Sequence, residues 1–540
     1  MSDTTTHGPA LMAGAPQAPH DPEPRFEGPS VLWAGPGRVV LLFGLLAGLS
    51  WWVHDRFLAE PEEPETPVAL PSRVEQVLAQ EHLAQPQAPE PPKQGLVNLL
   101  KDMAEPIAPK PSEPQAGQGA NPSAGQGAAA QGPQAGHGDA PQAGQGDAPQ
   151  AGQGQGAAKN TAQDELPPIE DPKHALAHFY AKLKHTEAKE PGAVTRIAHF
   201  GDSVIVADFV TGGARRKFQA RFGDAGHGWV LIDKPWDFYL HEGVHFSSDL
   251  WRQRRITSDT ISDNRYGLGG VTALASGGGA WATYKTVEEG PVGQRLSRFQ
   301  LFYSAQPKGG QVAVEVDGQE KLLLSTASDT VEDKVETLSL PDGPHKVKVI
   351  SRGGGEVRLF GVVLEREVPG VTYDSLGITG IRAKILNRFD EKHLQRQLQQ
   401  RDLDLVIVML GTNESEFTGM PMAEYEQDYR TLLRRIRQGL PDRSCLALSP
   451  PDRDHKDDRG RLVTIPLLKK IIEVQRKVAL EEGCAFWSTY EAMGGENSMA
   501  AWYRHKPSLG SGDFTHFTKA GGDVLGAMLF DALMAARPKP

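Results

Sequence analysis

Four short blocks hold the residues of this chain best suited to moving an acyl group: Gly201-Asp202-Ser203, Gly377-Ile378-Thr379-Gly380, Gly411-Thr412-Asn413-Glu414 and Asp513-Phe514-Thr515-His516. A serine at the start of a helix is surrounded by backbone N–H groups that favour a developing negative charge. His516 is a base able to take the Ser203 proton, and Asp513, three residues earlier, can fix the imidazole tautomer by accepting from Nδ1. The Gly380 N–H and the Asn413 amide can join the Ser203 N–H as donors to one oxyanion. The pattern assigns catalysis to Ser203, Asp513 and His516, and an oxyanion hole to Ser203, Gly380 and Asn413, with no metal and no organic cofactor. Taken singly, each block is an ordinary turn or helix cap. Four of them in this order carry the assignment.

The blocks need a scaffold that brings distant segments together. Val194–Phe200 has the pattern of a buried strand and Val204–Arg221 that of a helix, so Ser203 falls on a strand-to-helix turn. Helical spacing returns in Ala383–Arg401, Tyr425–Leu440, Leu467–Glu482 and Gly521–Ala536. The continuous apolar run Leu405–Leu410, with Cys445–Ser449 and Ala485–Trp487, reads as parallel strands between them. Such alternation predicts an α/β domain with a doubly wound parallel sheet, each block sitting at the carboxyl end of a strand. Between the two halves the period changes to two. Ser297–Ser304, Gln311–Val316, Val335–Leu340, His345–Ile350 and Val357–Leu364 are separated by turn residues, which predicts an antiparallel β-sandwich inserted over residues 226–370. It reads as an accessory module riding on an enzyme.

The N-terminal third has another character. From Pro111 to Asn160 there are 12 Gly and 6 Pro and not one Val, Ile, Leu, Met, Phe, Tyr or Trp, so this stretch cannot bury a core. An eight-residue repeat runs as PQAGHGDA, PQAGQGDA and PQAGQGQG from Pro133 to Gly156, too polar for a solenoid. Upstream, Val39–Val53 is an uncharged run flanked by Arg38 and ending in Trp51, Trp52 and Val53, which suits a single transmembrane helix with snorkelling and interfacial residues. The expected order is a tail (1–37), an anchor (38–54), a disordered Pro/Gly/Gln-rich linker (55–165), and the α/β domain in two parts (166–225 and 371–540) around the insert. A net charge of −11 argues against a nucleic-acid partner. Cys445 and Cys484 start neighbouring predicted strands, and the sequence leaves open whether they are bonded or free.

With these blocks, the stretches HFGDSVIVADFVTGGARRKFQARFGDAGHG (His199–Gly228) and GVTYDSLGITGIRA (Gly370–Ala383) resemble the SGNH (GDSL-like) hydrolase superfamily. The nearest likeness is to bacterial peptidoglycan and polysaccharide O-acetylesterases with a carbohydrate-binding-like β-sandwich after the first block. The resemblance spans about residues 195–535. It implies a serine esterase that removes O-acetyl groups from a cell-envelope polysaccharide, peptidoglycan first, through acetyl-Ser203. It also implies a partner outside the membrane, with the catalytic domain in the periplasm or outside the cell. Val204 stands where the family often has Leu or His, and Glu414 where it commonly has Asp. The same blocks suit a polysaccharide O-acetyltransferase, and a glycan-binding scaffold without catalysis is a third reading.

Other clusters carry weaker chemistry. Asp452, Asp454, His455, Asp457 and Asp458 read as a solvated loop rather than a metal site, and His241 and His245 as surface or cleft residues. Trp251 and Arg252, with Arg254 and Arg255, suit a sugar-binding edge, the alternative being sheet packing with solvated charge.

Overall fold

The computed structural model describes residues 70–84 and 165–539. The run Val39–Val53 and the repeat lie outside the described residues, and among the described residues no helix is long and apolar enough to cross a membrane.

Val194–Gly201 (β1) is the hub of the fold. The chain then passes through Gly226–Val230 (β2), Val244–Asp249 (β3), Arg252–Arg255 (β4), Val271–Ala275 (β5), Gly278–Thr286 (β6), Leu296–Ala305 (β7), Gln311–Val316 (β8), Gln319–Ser325 (β9), Glu332–Gly343 (β10), Lys346–Gly353 (β11) and Val357–Glu365 (β12). It returns as Gly370–Gly377 (β13), followed by Leu405–Met409 (β14), Ser444–Leu448 (β15), Asp454–Lys456 (β16), Leu462–Thr464 (β17) and Ala485–Trp487 (β18). A parallel sheet runs in the order β13-β1-β14-β15-β18. Gly201 is level with Gly377 on one side and Met409 on the other, so three block-bearing loops leave the same edge of the sheet side by side.

All of β14 is buried, and its alternation feeds two apolar layers. Val406 and Val408 enter one layer, with Leu394 and Leu398 of the helix Glu391–Arg401, Tyr429 and Leu433 of Met422–Gly439, and Ile471 and Val478 of Leu467–Glu481. Leu405, Ile407 and Met409 enter the other, with Phe179, Phe218, Val524 and Met528. Helices on both faces explain why the strand carries no polar side chain. This is the α/β fold the alternation predicts.

Within the stretch expected to be linker, Ser72–Ala84 is a helix. Its Val74, Val77 and Leu78 are buried in the second layer, a short stripe at i, i+3 and i+4. Arg73 pairs with Asp531 of the closing helix Lys519–Ala535. The expected single helix Val204–Arg221 is two: one turn, Ser203–Val206, and a longer helix, Phe209–Phe222. The break is at Asp208, held at φ 58° because its buried carboxylate accepts from Thr211 Oγ1 at 2.5 Å and the Glu242 N–H at 2.8 Å and pairs with Arg215. Cys445 of β15 and Cys484, just before β18, are joined by a disulfide across adjacent strands, with Cα atoms 4.7 Å apart. Closing a loop of that length adds about 4 kcal/mol in the chain-entropy model.

The strands between β1 and β13 form two antiparallel sheets, β10-β7-β12-β5-β4 with β2 on β12, and β3-β6-β11-β8-β9. Phe299, Leu301 and Tyr303 of β7 face the core between these sheets, with Val312, Val347 and Leu359. The opposite face of the first sheet is not solvated. Phe302, Phe360 and Val363 join the layer of Leu376 and Ile378 next to the parallel sheet. The two halves therefore share a core, which corrects the expectation of a module riding on the enzyme. A buried ion cluster ties the same seam: Arg401 donates to Glu365 and Asp374, each at 2.7 Å, and Arg196 and Arg298 also reach Glu365 at 2.9 and 3.1 Å. Burial pushes the Glu365 carboxyl up, but the surrounding guanidinium groups outweigh it and hold it at about 2.

Candidate active site

At the end of β1 the chain turns abruptly so that Ser203 opens a one-turn helix. Asp202 caps that turn by accepting from the Val204 N–H at 3.0 Å. The turn packs so close to β13 that a Cβ on Gly377 would lie 2.7 Å from the Val206 nitrogen, which is why glycine ends that strand. Gly380 needs glycine for another reason: its φ is +71°, while the space around it is open.

Asp513 and His516 do not follow a strand, contrary to the expectation for all four blocks. They lie in the loop between the helix Ser498–Arg504 and the closing helix, whose start is capped by Thr518. Phe514 takes a left-handed φ of 55°, and its carbonyl accepts from the Asp454 N–H at 3.1 Å. This tight turn folds Asp513 back under the imidazole.

Ser203 Oγ lies 2.8 Å from His516 Nε2, and His516 Nδ1 lies 2.6 Å from Asp513 Oδ2. Asp513 Oδ1 accepts the backbone N–H groups of Thr515 and His516, both at 3.0 Å. Burial raises the Asp513 pKa, but its bonds with His516 outweigh that and hold it at about 2. The arrangement is a relay: a hydroxyl, a base to receive its proton, and a carboxylate that stays ionised to stabilise the imidazolium. Asn413 Nδ2 donates one hydrogen to the Ile381 carbonyl at 2.9 Å, fixing the amide beside the Gly380 loop and leaving its second hydrogen for a ligand.

One residue at this site escaped the sequence reading. Arg453 Nη1 donates to the Thr412 carbonyl at 2.8 Å and its Nε to Thr515 Oγ1 at 3.0 Å, and it pairs with Glu416. It sits in the segment read as a solvated loop, but Asp452 and Asp454 there are buried. Asp452 accepts from Thr464 and the Met499 N–H, and Asp454 from the Ala500 N–H. Among the described residues no group of His, Cys, Asp and Glu is arranged to hold a metal.

For Trp251 and Arg252 the structure agrees with sheet packing and solvated charge, and for His241 it corrects the expectation. Trp251 is only 8% exposed and belongs to the core between the antiparallel sheets, while Arg252 is exposed and pairs with Glu356 at 3.0 Å. Neither joins the Ser203 cluster. His241 is buried rather than at the surface, its pKa driven down to about 4 by burial and then by Arg215, whereas His245 is exposed on β3.

A family model described as GDSL-like lipase/acylhydrolase matches residues 339–524. That span contains Gly380, Asn413, Asp513 and His516, and β1, lying between β13 and β14, adds Ser203 from outside it. The chain carries an SGNH hydrolase domain. SGNH hydrolases of this type are carboxylic ester hydrolases, and the relay is built for that class of reaction. Among solved structures, this hydrolase is similar to a peptidoglycan O-acetylesterase, with a TM-score of 0.58 and 24% identity over 68% of this chain and 98% of that one. It also matches a family two carbohydrate esterase from Clostridium thermocellum, solved with cellohexaose, at TM-score 0.25 and 11% identity over 53% of this chain and 98% of that one. Comparison with curated proteins returns no match.

Proposed function

We propose that this SGNH hydrolase removes O-acetyl groups from a cell-envelope polysaccharide, peptidoglycan being the first candidate. Ser203 Oγ attacks the acetyl carbonyl carbon as His516 takes its proton. The oxyanion is met by the Ser203 and Gly380 N–H groups and the Asn413 amide. The C–O bond to the sugar then breaks, the sugar oxygen leaves with the proton from His516, and water releases acetate from acetyl-Ser203 by the same steps. The hydrogen-bond chain Ser203–His516–Asp513 is the observation that carries this reading. The likeness to a peptidoglycan O-acetylesterase supports the substrate class.

The Cys445–Cys484 disulfide supports an oxidising compartment. Together with the apolar run Val39–Val53 it favours an anchored enzyme acting in the periplasm or outside the cell, with residues 226–370 as an inserted, carbohydrate-binding-like part. The test is acetate release from O-acetylated peptidoglycan by the full chain and by Ser203→Ala. Release that disappears in the variant supports the reading. Acetyl transfer to added sugar in place of acetate release would point to a transferase, and no reaction with either would leave a glycan-binding scaffold.

A further inference from the structure

Arg382 stands two residues beyond Gly380, and Glu414 directly follows Asn413. Between them and the segment after Glu414 opens a cavity of about 430 Å³, a volume within the range of small-molecule sites. Phe417, 46% exposed, lines it, and the Arg382 guanidinium covers one face of its ring, 4.4 Å from the centroid. Glu414 is 2% exposed. Its Oε1 accepts the Ala383 N–H at 2.8 Å, which ties this wall of the cavity to the residues after Gly380. Lys384, Glu416, Glu424 and Asp428 complete a polar rim.

The occupant needs an apolar face and a polar edge. An alkyl chain would cover Phe417 but strip water from the charged rim without replacing its hydrogen bonds. An anionic group would meet Arg382 and Lys384 but face the carboxylates of Glu414, Glu416, Glu424 and Asp428. A pyranose ring has both features: C–H groups that lie on an aromatic face, and hydroxyls around its edge.

We infer that the cavity between Arg382, Glu414 and Phe417 holds the sugar ring from which the acyl group is removed, with Phe417 as platform and the polar rim as partner to its hydroxyls. The position suits the chemistry: two of the walls continue the two oxyanion loops, Arg382 two residues beyond Gly380 and Glu414 next to Asn413. This inference rests on the esterase reading above.

The test uses the full chain with Phe417→Ala, a site exposed enough not to threaten folding. Each protein is assayed on O-acetylated peptidoglycan fragments and on 4-nitrophenyl acetate. The ratio of kcat/KM on the fragments to that on the small ester is expected to fall roughly tenfold, through KM, and to recover in Phe417→Trp. An unchanged ratio overturns the subsite. Calorimetric titration of Ser203→Ala with the same fragments asks the same question without turnover. Binding weakened about tenfold by adding Phe417→Ala supports the subsite, and equal binding, or none to either, overturns it. Fragments that bind through Phe417 but yield no acetate with the wild-type enzyme would overturn the esterase reading and leave the subsite standing.

Discussion

Arg453 donates through Nε to Thr515 Oγ1 at 3.0 Å, from a side chain that also holds the Thr412 carbonyl. Thr515 lies between Asp513 and His516, and Thr412 precedes Asn413. One guanidinium therefore sets the distance between the loop of the proton relay and the loop of an oxyanion donor. Arg453→Met keeps the length of the side chain and removes the clamp. Because a displacement of about 1 Å at a reacting centre can cost 10²-fold, kcat is expected to fall by roughly 10–10²-fold. Steady-state kinetics on 4-nitrophenyl acetate check this. A loss confined to KM would exclude a positioning role, and partial rescue in Arg453→Lys would support it.

The relay and the oxyanion donor make separable contributions. Asn413→Ala removes one donor and should lower kcat by roughly 10²–10³-fold with little change in KM. Asp513→Asn leaves the turn intact through its amide oxygen but removes the charge that His516 Nδ1 meets at 2.6 Å, and should lower kcat by roughly 10²–10⁴-fold. Because Asp513 stays ionised down to about pH 2, its protonation should not contribute to the acid limb of the wild-type rate profile above about pH 3. An Asp513→Asn enzyme at wild-type rate would show that His516 needs no orienter.

Much of this was legible because its signals are local. The run Leu405–Leu410 is apolar throughout because both faces of β14 are covered, and the four blocks show their chemistry in three or four consecutive residues. What escaped notice depends on long-range partners. Arg453 sits in a charged stretch, and its partners lie 41 and 62 residues away. Phe302 and Phe360 have the same alternation as any sandwich strand, and nothing in that pattern tells which apolar face meets a second domain. His241 reads as polar beside Glu242, and only the fold encloses it with Asp208 and Arg215.

Acid should unfold the protein earlier than its carboxylates alone would. His241 is held at about 4 and His199 at about 3 by burial, and His227 well below its ordinary value by burial and then by His241. In the unfolded chain each titrates near 6.5. Between those values the unfolded state binds more protons, so stability is full above about pH 6.5 and falls as pH is lowered toward 4. His241 alone accounts for about 3 kcal/mol of that loss. Urea unfolding across this window should show it, and His241→Gln should flatten the slope. An unaltered slope would mean that His241 is reached by water in the native state.

The antiparallel sheets should prove inseparable from the hydrolase. Phe302, Phe360 and Val363 complete the apolar layer that Leu376 and Ile378 line, and Glu365 neutralises Arg401, which is fully buried in the seam. Replacing residues 226–369 by a short linker would uncover that layer and leave Arg401 without Glu365, still joined to Asp374. The point variant Glu365→Gln isolates the electrostatic part. Breaking one partner of a buried pair typically costs about 3–5 kcal/mol, whereas exchanging the whole cluster for apolar groups can be neutral. Glu365→Gln should therefore lower stability by about that amount, measured by denaturant unfolding, and adding Arg401→Met should lower it further, because Asp374 is then buried without its cation. A shortened chain that folds and turns over ester at the wild-type rate would show that the shared core is dispensable.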